Sequence, residues 1–266
     1  MKINNSPIGI FDSGIGGLTV LKEVRSILPA EDIIYLGDTA RVPYGVRSPE
    51  TVERYSFECT DFLLKKNIKL LVVACNTVSA ISLKAIQKKL SIPVIGVIEP
   101  GARAAVRSTK NRIIGIIGTQ ATVRSGAYIE AIKALDGGIE VHALACPLFV
   151  PLVEEGWTDG IIAGLIAEKY LINLKDKQAD TVVLGCTHYP LLKHVIQEVM
   201  GPVKLIDSAV ETALAVRDML HETDMTRTED AASDIEFFVT DSPDRFIGVG
   251  ESFLQSRIEN IKKIKL

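Results

Sequence analysis

Cysteine is scarce in this chain: four in 266 residues, with no Cys-x-x-Cys pair and no cysteine/histidine ligand cluster. That spacing argues against a structural zinc, so no metal is expected. No basic block or aromatic-interleaved basic patch occurs, and the formal net charge is -3. A nucleic-acid partner is therefore not expected. Lys, Arg, Asp or Gly interrupts every strong apolar run before it reaches membrane-span length, so no membrane association is expected. Met1 to Pro7 lacks the charged and apolar regions of a secretion signal, and few thiols without an export signal point to reduced cysteines in the cytoplasm. The phosphate-loop pattern GxxxxGK[ST] is missing. A GxGxxG fingerprint beginning at Gly14 would need glycine where Thr19 stands. What remains is the composition of an ordinary folded protein, 47% hydrophobic and 24% charged. Its length suits one large domain or two of common size.

Two stretches resemble each other. Lys69-Leu-Leu-Val-Val-Ala-Cys75-Asn76-Thr77 has a counterpart in Ala179-Asp-Thr-Val-Val-Leu-Gly-Cys186-Thr187-His188. Both are apolar runs rich in β-branched residues, the pattern of a strand buried on both faces, and both stop at a cysteine. The surrounding chain repeats too. Ile8-Gly-Ile-Phe11 reads as a strand, followed by a helix from Leu18 to about Leu28 and a strand over Ile33–Leu36. A helix from Pro49 to Lys66, the Cys75 strand, a helix from about Ser79 to Leu90 and a strand at Val94–Val97 follow, with Pro100-Gly101 as punctuation. The order begins again with strands at Ile113–Ile117 and Ile139–Leu144 and a turn at Val150-Pro151. A long helical region to about Lys175, the Cys186 strand, a helix over Leu191–Met200 and a strand at Val203–Ile206 complete it. Ser13 falls opposite Thr119, Val42-Pro43 opposite Val150-Pro151, and Cys75 opposite Cys186. The expectation is an α/β protein of two similar lobes with mostly parallel sheets, related by a pseudo-twofold duplication. The lobes are expected over 1–98 plus 208–266 and over 99–207. The tail after Asp207 is expected to pack on the first lobe: a helix to His221, a polar break from Glu222 to Ser233, a strand at Ile235–Val239, and a final helix ending in a solvated basic run.

In parallel sheets, ligands sit outside the carboxyl ends of the strands, where both repeat thiols would lie. A lone buried cysteine is usually an inert small hydrophobe, the reading favoured for Cys59 and Cys146. Cys75 and Cys186 share one position in a repeat, which favours chemistry. Asn76-Thr77 and Thr187-His188 place donors beside each thiol, although Asn and Thr also serve as simple helix caps. His188, two residues from Cys186, can handle protons, whereas His142, His194 and His221 follow structural patterns. Asp12 ends a strand and is a candidate site acid. The Gly14-Ile-Gly-Gly17 turn reads first as a tight connection, one that leaves backbone N–H groups for a carboxylate.

Four segments together resemble the cofactor-independent glutamate racemases of the aspartate/glutamate racemase superfamily. They are Phe11-Asp-Ser-Gly-Ile-Gly-Gly-Leu18, Asp38-Thr-Ala-Arg-Val-Pro-Tyr-Gly45, Ala74-Cys-Asn-Thr77 and Leu184-Gly-Cys-Thr-His-Tyr-Pro190. The resemblance covers nearly the whole chain in order. It implies two α/β lobes with the active site between them, no cofactor, glutamate as substrate, and D-glutamate supplied to peptidoglycan synthesis. It also implies Cys75 and Cys186 as catalytic bases, acting on D- and L-glutamate respectively. Asp12 would assist the first thiol and His188 the second, with Asp38 and Glu154 as further acids. Candidate substrate contacts are Asp12, Ser13, Pro43, Tyr44, Gly45, Cys75, Asn76, Thr77, Thr119, Thr122, Cys186, Thr187 and His188.

Racemisation removes the Cα proton from one face and returns one to the other, so two opposed bases are an economical solution. Without a cofactor the carbanion must be met by fixed donors in a water-excluded site. The rivals are an aspartate or hydantoin racemase, an arylmalonate-type decarboxylase that needs one thiol, and a two-lobed binding protein without turnover. A homodimer is the default assembly for a soluble enzyme. The two thiols, with different helpers, are expected to differ in acidity.

Overall fold

The computed structural model describes residues 3–228 and 233–266. The first half runs β1 (Ile8–Asp12), α1 (Leu18–Ile27), β2 (Ile33–Gly37), α2 (Pro49–Leu64), β3 (Leu70–Val73), α3 (Asn76–Ile81), α4 (Leu83–Lys89), β4 (Val94–Gly96) and α5 (Ile98–Ser108). The second runs β5 (Ile113–Gly118), α6 (Gln120–Ser125), α7 (Ala127–Leu135), β6 (Glu140–Ala145), α8 (Phe149–Glu154), α9 (Gly160–Asp176), β7 (Thr181–Gly185), α10 (Lys193–Met200) and β8 (Lys204–Asp207). The tail adds α11 (Ser208–Glu222), β9 (Ile235–Val239), α12 (Pro243–Leu254) and β10 (Ile261–Lys263).

These strands form two sheets, ordered β10-β9-β2-β1-β3-β4 and β6-β5-β7-β8. Every pairing among the described residues is parallel. The segment β2-β1-β3-β4 of the first sheet has the strand order of the whole second sheet, so the duplication expected from sequence is present as topology. β1, β2, β3 and β7 are buried at every residue, as strands covered by helices on both faces must be. α1 buries Leu18, Leu21 and Val24 along one stripe. Ser48 caps α2 by accepting the Thr51 N–H, with Pro49 at the first helical position. Among the described residues no helix is long and apolar enough to cross a membrane.

Several local expectations are corrected. Pro100-Gly101 does not interrupt the chain but lies in the first turns of α5, where proline lacks only an N–H that has no intrahelical partner. Gly101 permits close packing there, since a Cβ would stand 3.2 Å from Ser208 Cβ on α11. Val150-Pro151 lies inside α8, whereas Val42-Pro43 precedes the short turn Tyr44–Val46, so the repeat loses its structural equivalence at that point. The helix expected from Ser79 starts at Asn76 and breaks at Ser82. The long helical region to Lys175 is two helices, α8 and α9. The basic run near the end is not a helix terminus. Its residues form β10, and Lys262 and Lys263 pair with Glu236 at 2.7 Å and Asp241 at 2.5 Å. Charged residues on an edge strand also discourage further pairing. Part of the polar break, residues 229–232, lies outside the described residues.

At the amino end of β3 one charge is fully buried. Lys69 Nζ lies 2.5 Å from Glu31 Oε2 and donates to the carbonyls of Asn4 at 2.6 Å and Met225 at 2.8 Å. Glu31 Oε1 accepts the Arg227 N–H at 2.8 Å. The pair thus ties the first turn, the α1–β2 connection and the chain after α11 together at the end of the sheet away from the strand carboxyl termini. Removing one partner of a buried pair strands the other. Lys69→Ala is expected to destabilise the fold by about 3–5 kcal/mol. The double change Lys69→Met/Glu31→Leu should recover most of that loss in urea unfolding. Equal losses in the single and double variants would refute the pairing account.

Candidate active site

The turns that follow β1, β2, β3, β5 and β7, together with α8, line one cavity with about 420 Å³ of empty space, mouth included. The first lobe supplies Ser13, Gly14, Val42, Pro43, Tyr44, Gly45, Cys75, Asn76 and Thr77. The second supplies Thr119, Val150, Glu154, Cys186, Thr187 and His188. β1 and β3 are neighbours in one sheet and β5 and β7 in the other, so Cys75 and Cys186 occupy matching strand ends that open on a shared space. Both thiols are buried.

Two glycines allow the lobes to close this tightly. A Cβ on Gly16 would stand 2.2 Å from Thr187 Oγ1 and 2.6 Å from His188 Nδ1, and one on Gly45 would stand 2.6 Å from Thr119 Cβ. Any side chain there would force the lobes apart. The cluster of hydroxyls at the junction is equally close: Thr77 Oγ1 is 3.0 Å from Thr119 Oγ1 and 3.4 Å from Thr122 Oγ1.

The surroundings of the two thiols differ. Cys75 donates to Ser13 Oγ at 3.5 Å. Burial, reinforced by the nearby Asp12 carboxyl, pushes its pKa up to about 12, against the hydrogen bonds of Ser13 and the Val78 N–H. It rests as a neutral thiol. Burial also raises Asp12 above the ordinary carboxylate range, opposed by His188 and by the N–H groups of Gly14, Gly17 and Ser13. Cys186 Sγ lies 4.0 Å from His188 Nδ1, and His188 Nε2 lies 3.2 Å from Glu154 Oε1. Burial alone would lower His188, but its bonds to Cys186 and Glu154 prevail and raise it to about 10. The same contact with His188 holds Glu154 below its usual range. One thiol therefore faces a buried carboxyl and the other an imidazolium.

Among the described residues, two of the buried side-chain polar atoms without a hydrogen-bond partner belong to this region, Asp12 Oδ1 and Asn76 Nδ2. The rest of each group is anchored: Gly14 N–H donates to Asp12 Oδ2 at 2.9 Å, and the Tyr128 hydroxyl donates to Asn76 Oδ1 at 2.7 Å. An unpaired carboxylate oxygen and an unpaired amide N–H2 suit an ammonium and a carboxylate respectively.

Of the residues singled out from sequence, Asp38 does not reach the cavity. It is buried behind it, accepting from the Tyr44 hydroxyl, from Arg41 Nε at 2.6 Å and from Thr240 at 2.8 Å. Asp12 and Thr122 also sit behind the lining, bonded to residues that form it. Cys59 and Cys146 are buried away from the cavity lining. Sequence reasoning missed Val42 and Val150 as walls, although it had paired them in the repeat. It also missed Arg245 of α12, whose guanidinium lies 3.5 Å from Glu154 Oε2. Nothing in the sequence around Arg245 signals that contact.

Residues 8–216 match the sequence model of the family described as Asp/Glu/Hydantoin racemase. The chain is 56% identical over 260 residues to a glutamate racemase of Geobacter metallireducens, covering 97% of this chain and 96% of that one. It superposes with a TM-score of 0.94 on the crystal structure of glutamate racemase from Francisella tularensis in complex with D-glutamate, at 40% identity and 98% coverage of both chains. A glutamate racemase isoform from Bacillus anthracis gives a TM-score of 0.95 at 42% identity, covering 99% of this chain and 98% of that one. A match that spans both strand-end cysteines and both sheets places the chain by descent as well as by shape: it belongs to the Asp/Glu/Hydantoin racemase family.

Proposed function

We propose that this chain interconverts L-glutamate and D-glutamate by cofactor-independent proton transfer at Cα, between Cys75 and Cys186. The observation that carries the reading is the pair of buried thiols at matching strand ends on one cavity. Lobes over 1–98 plus 208–266 and over 99–207 each contribute one base. One cysteine takes the Cα proton as a thiolate while the other gives a proton to the opposite face as a thiol, and the two exchange states at each turnover. Cys75 acts on D-glutamate and Cys186 on L-glutamate.

The different helpers fit that division. His188, oriented by Glu154, stands beside Cys186 as the group able to take and return its proton. Asp12, already raised by burial, can receive or return the proton of Cys75. The substrate α-carboxylate meets Asn76 Nδ2, a group of the lining left without a partner, and Asp12, behind Ser13 and Gly14, supplies the negative charge that favours the ammonium on that side. The side-chain carboxylate meets the hydroxyls of Thr77 and Thr119, which Thr122 backs through its own hydroxyl, with Ser13, Pro43, Tyr44, Gly45, Thr187 and His188 completing the enclosure. Asp38 serves through Tyr44. Fixed donors in a closed, low-dielectric site stabilise charge developing on the α-carboxylate as the proton leaves. Supply of D-glutamate to peptidoglycan synthesis, a cytoplasmic location and a homodimeric assembly complete the proposal, with neither nucleic acid nor membrane as partner.

Incubation with L-glutamate or L-aspartate in deuterated water, followed by circular dichroism and Cα deuteration, tests substrate and chemistry together. Glutamate should racemise with Cα labelling and aspartate should not. Turnover of aspartate alone, or a requirement for added pyridoxal phosphate, would overturn the proposal.

Cys75→Ala and Cys186→Ala should each lower racemisation by roughly 10³-fold or more, since each deletes one of two acid–base groups. Cys186→Ala should still exchange the Cα proton of D-glutamate with solvent, and Cys75→Ala that of L-glutamate. A single variant that racemises near the parental rate refutes the two-base mechanism.

His188 also links stability to pH. Its folded value of about 10 lies above the unfolded 6.5. Below pH 6.5 it is protonated in both states and its contribution is fully present. As pH rises toward 10 the unfolded chain loses the proton first, and the contribution disappears. The unfolding free energy of the parent should therefore fall relative to that of His188→Asn between pH 6.5 and 10 in urea titrations. A constant difference across that window would contradict the assignment.

A further inference from the structure

The Glu154 carboxylate is divided between two partners. Oε1 faces His188 Nε2 at 3.2 Å, and Oε2 faces the Arg245 guanidinium at 3.5 Å, with Glu155 Oε1 a further 3.9 Å contact of the same guanidinium. Glu154 belongs to α8 of the second lobe and Arg245 to α12, which packs on α1 in the first. The contact therefore crosses the cleft.

Arg245 stands on a firm mount. The Thr39 hydroxyl donates to the Asp241 carbonyl at 2.5 Å, and the Asp241 N–H donates back to Thr39 Oγ1 at 2.8 Å. The Thr240 hydroxyl donates to Asp38, the carboxylate that also holds Tyr44. Ser242, at φ +47, then turns the chain into α12, a left-handed conformation that non-glycine residues seldom adopt. Further along the same helix, Phe253 meets the His188 ring edge-on, with centroids 5.5 Å apart. α12 thus touches both members of the Glu154–His188 pair.

Glu154 also has room to leave. A second, solvent-open cavity with about 550 Å³ of empty space, mouth included, lined by Arg245, Asp241 and Thr39 among others, shares Gly14, Val42 and Glu154 with the active-site cavity. Arg245 at Oε2 and His188 at Oε1 are the two contacts that fix the carboxylate between these spaces.

We propose that Arg245 is a positioning residue of the racemisation: from the first lobe it holds Glu154 against His188, and so governs the proton transfer at Cys186. The proposal rests on the functional reading above. The charged groups facing the Glu154–His188 pair are Arg245 from α12, Glu155 just past the end of α8, Asp12 at the end of β1, Cys186 after β7 and Asp241 across the second cavity. Arg245 is the one among these that fastens the outer oxygen. Its removal releases Glu154 toward the second cavity and weakens the bond that keeps His188 protonated.

Arg245→Ala tests this on two readouts. The chain has four histidines, so imidazole titrations can be followed by NMR, with His188 assigned by its loss in His188→Asn. In Arg245→Ala the His188 titration should fall by about half a pH unit, the scale expected for an exposed ion pair. The kcat for glutamate should drop several-fold with KM held within about twofold. A His188 titration that stays or rises, or an unchanged kcat, overturns the proposal. Failure of the parent protein to racemise glutamate would sink the functional reading instead, and the NMR titration would still decide whether Arg245 positions Glu154.

Discussion

The site depends on one constraint of parallel β-structure: every strand in a sheet delivers its carboxyl end to the same edge. The connections on that edge are free of hairpin geometry and can carry polar residues. Here two such edges are set face to face. β1, β3, β5 and β7 end in turns whose residues meet within hydrogen-bond distance across the cleft, as the Thr77–Thr119 contact shows. The approach is sterically complete, because Gly16 and Gly45 leave no space that a methyl group could enter. The cavity is what remains between two surfaces already in contact.

Burial makes charge scarce in that cavity. His188 is the one residue of its described lining that carries positive charge at neutral pH, and it does so only because Cys186 and Glu154 outweigh the cost of its desolvation. On the other flank the same burial keeps Cys75 and Asp12 toward their neutral forms. An acidic substrate would therefore be met chiefly by hydroxyl and amide donors, whose dipoles need no counter-charge in a site with little water. Glu154 connects this interior to the exterior, through Arg245, along a line of contacts that ends at the exposed start of α12.

Much of this was legible beforehand because strands buried on both faces leave an unmistakable apolar run. The runs before Cys75 and Cys186 placed both thiols at strand ends, and the order of elements disclosed the duplication. The misreadings share a cause: they concern residues whose role is decided by a distant neighbour. Pro100-Gly101 reads as a break until Ser208 packs against it. Lys262 and Lys263 read as a helix end until β9 offers an edge to pair with. Asp38 reads as a site acid until Tyr44, Arg41 and Thr240 claim its oxygens. Arg245 carries no local signal at all, since its meaning comes from a carboxylate some ninety positions away in the chain, on the other lobe.

The unlike flanks of Cys75 and Cys186 carry a kinetic consequence for a reaction between mirror images. The two enantiomers have equal free energy in water, so the equilibrium constant is unity however lopsided the protein. The ratio kcat/KM must then be identical in the two directions. The carboxyl beside one thiol and the imidazolium beside the other can only trade tighter binding of one enantiomer against its slower conversion. The departure from perfect duplication therefore sets which form the protein holds, and leaves untouched how far the reaction goes.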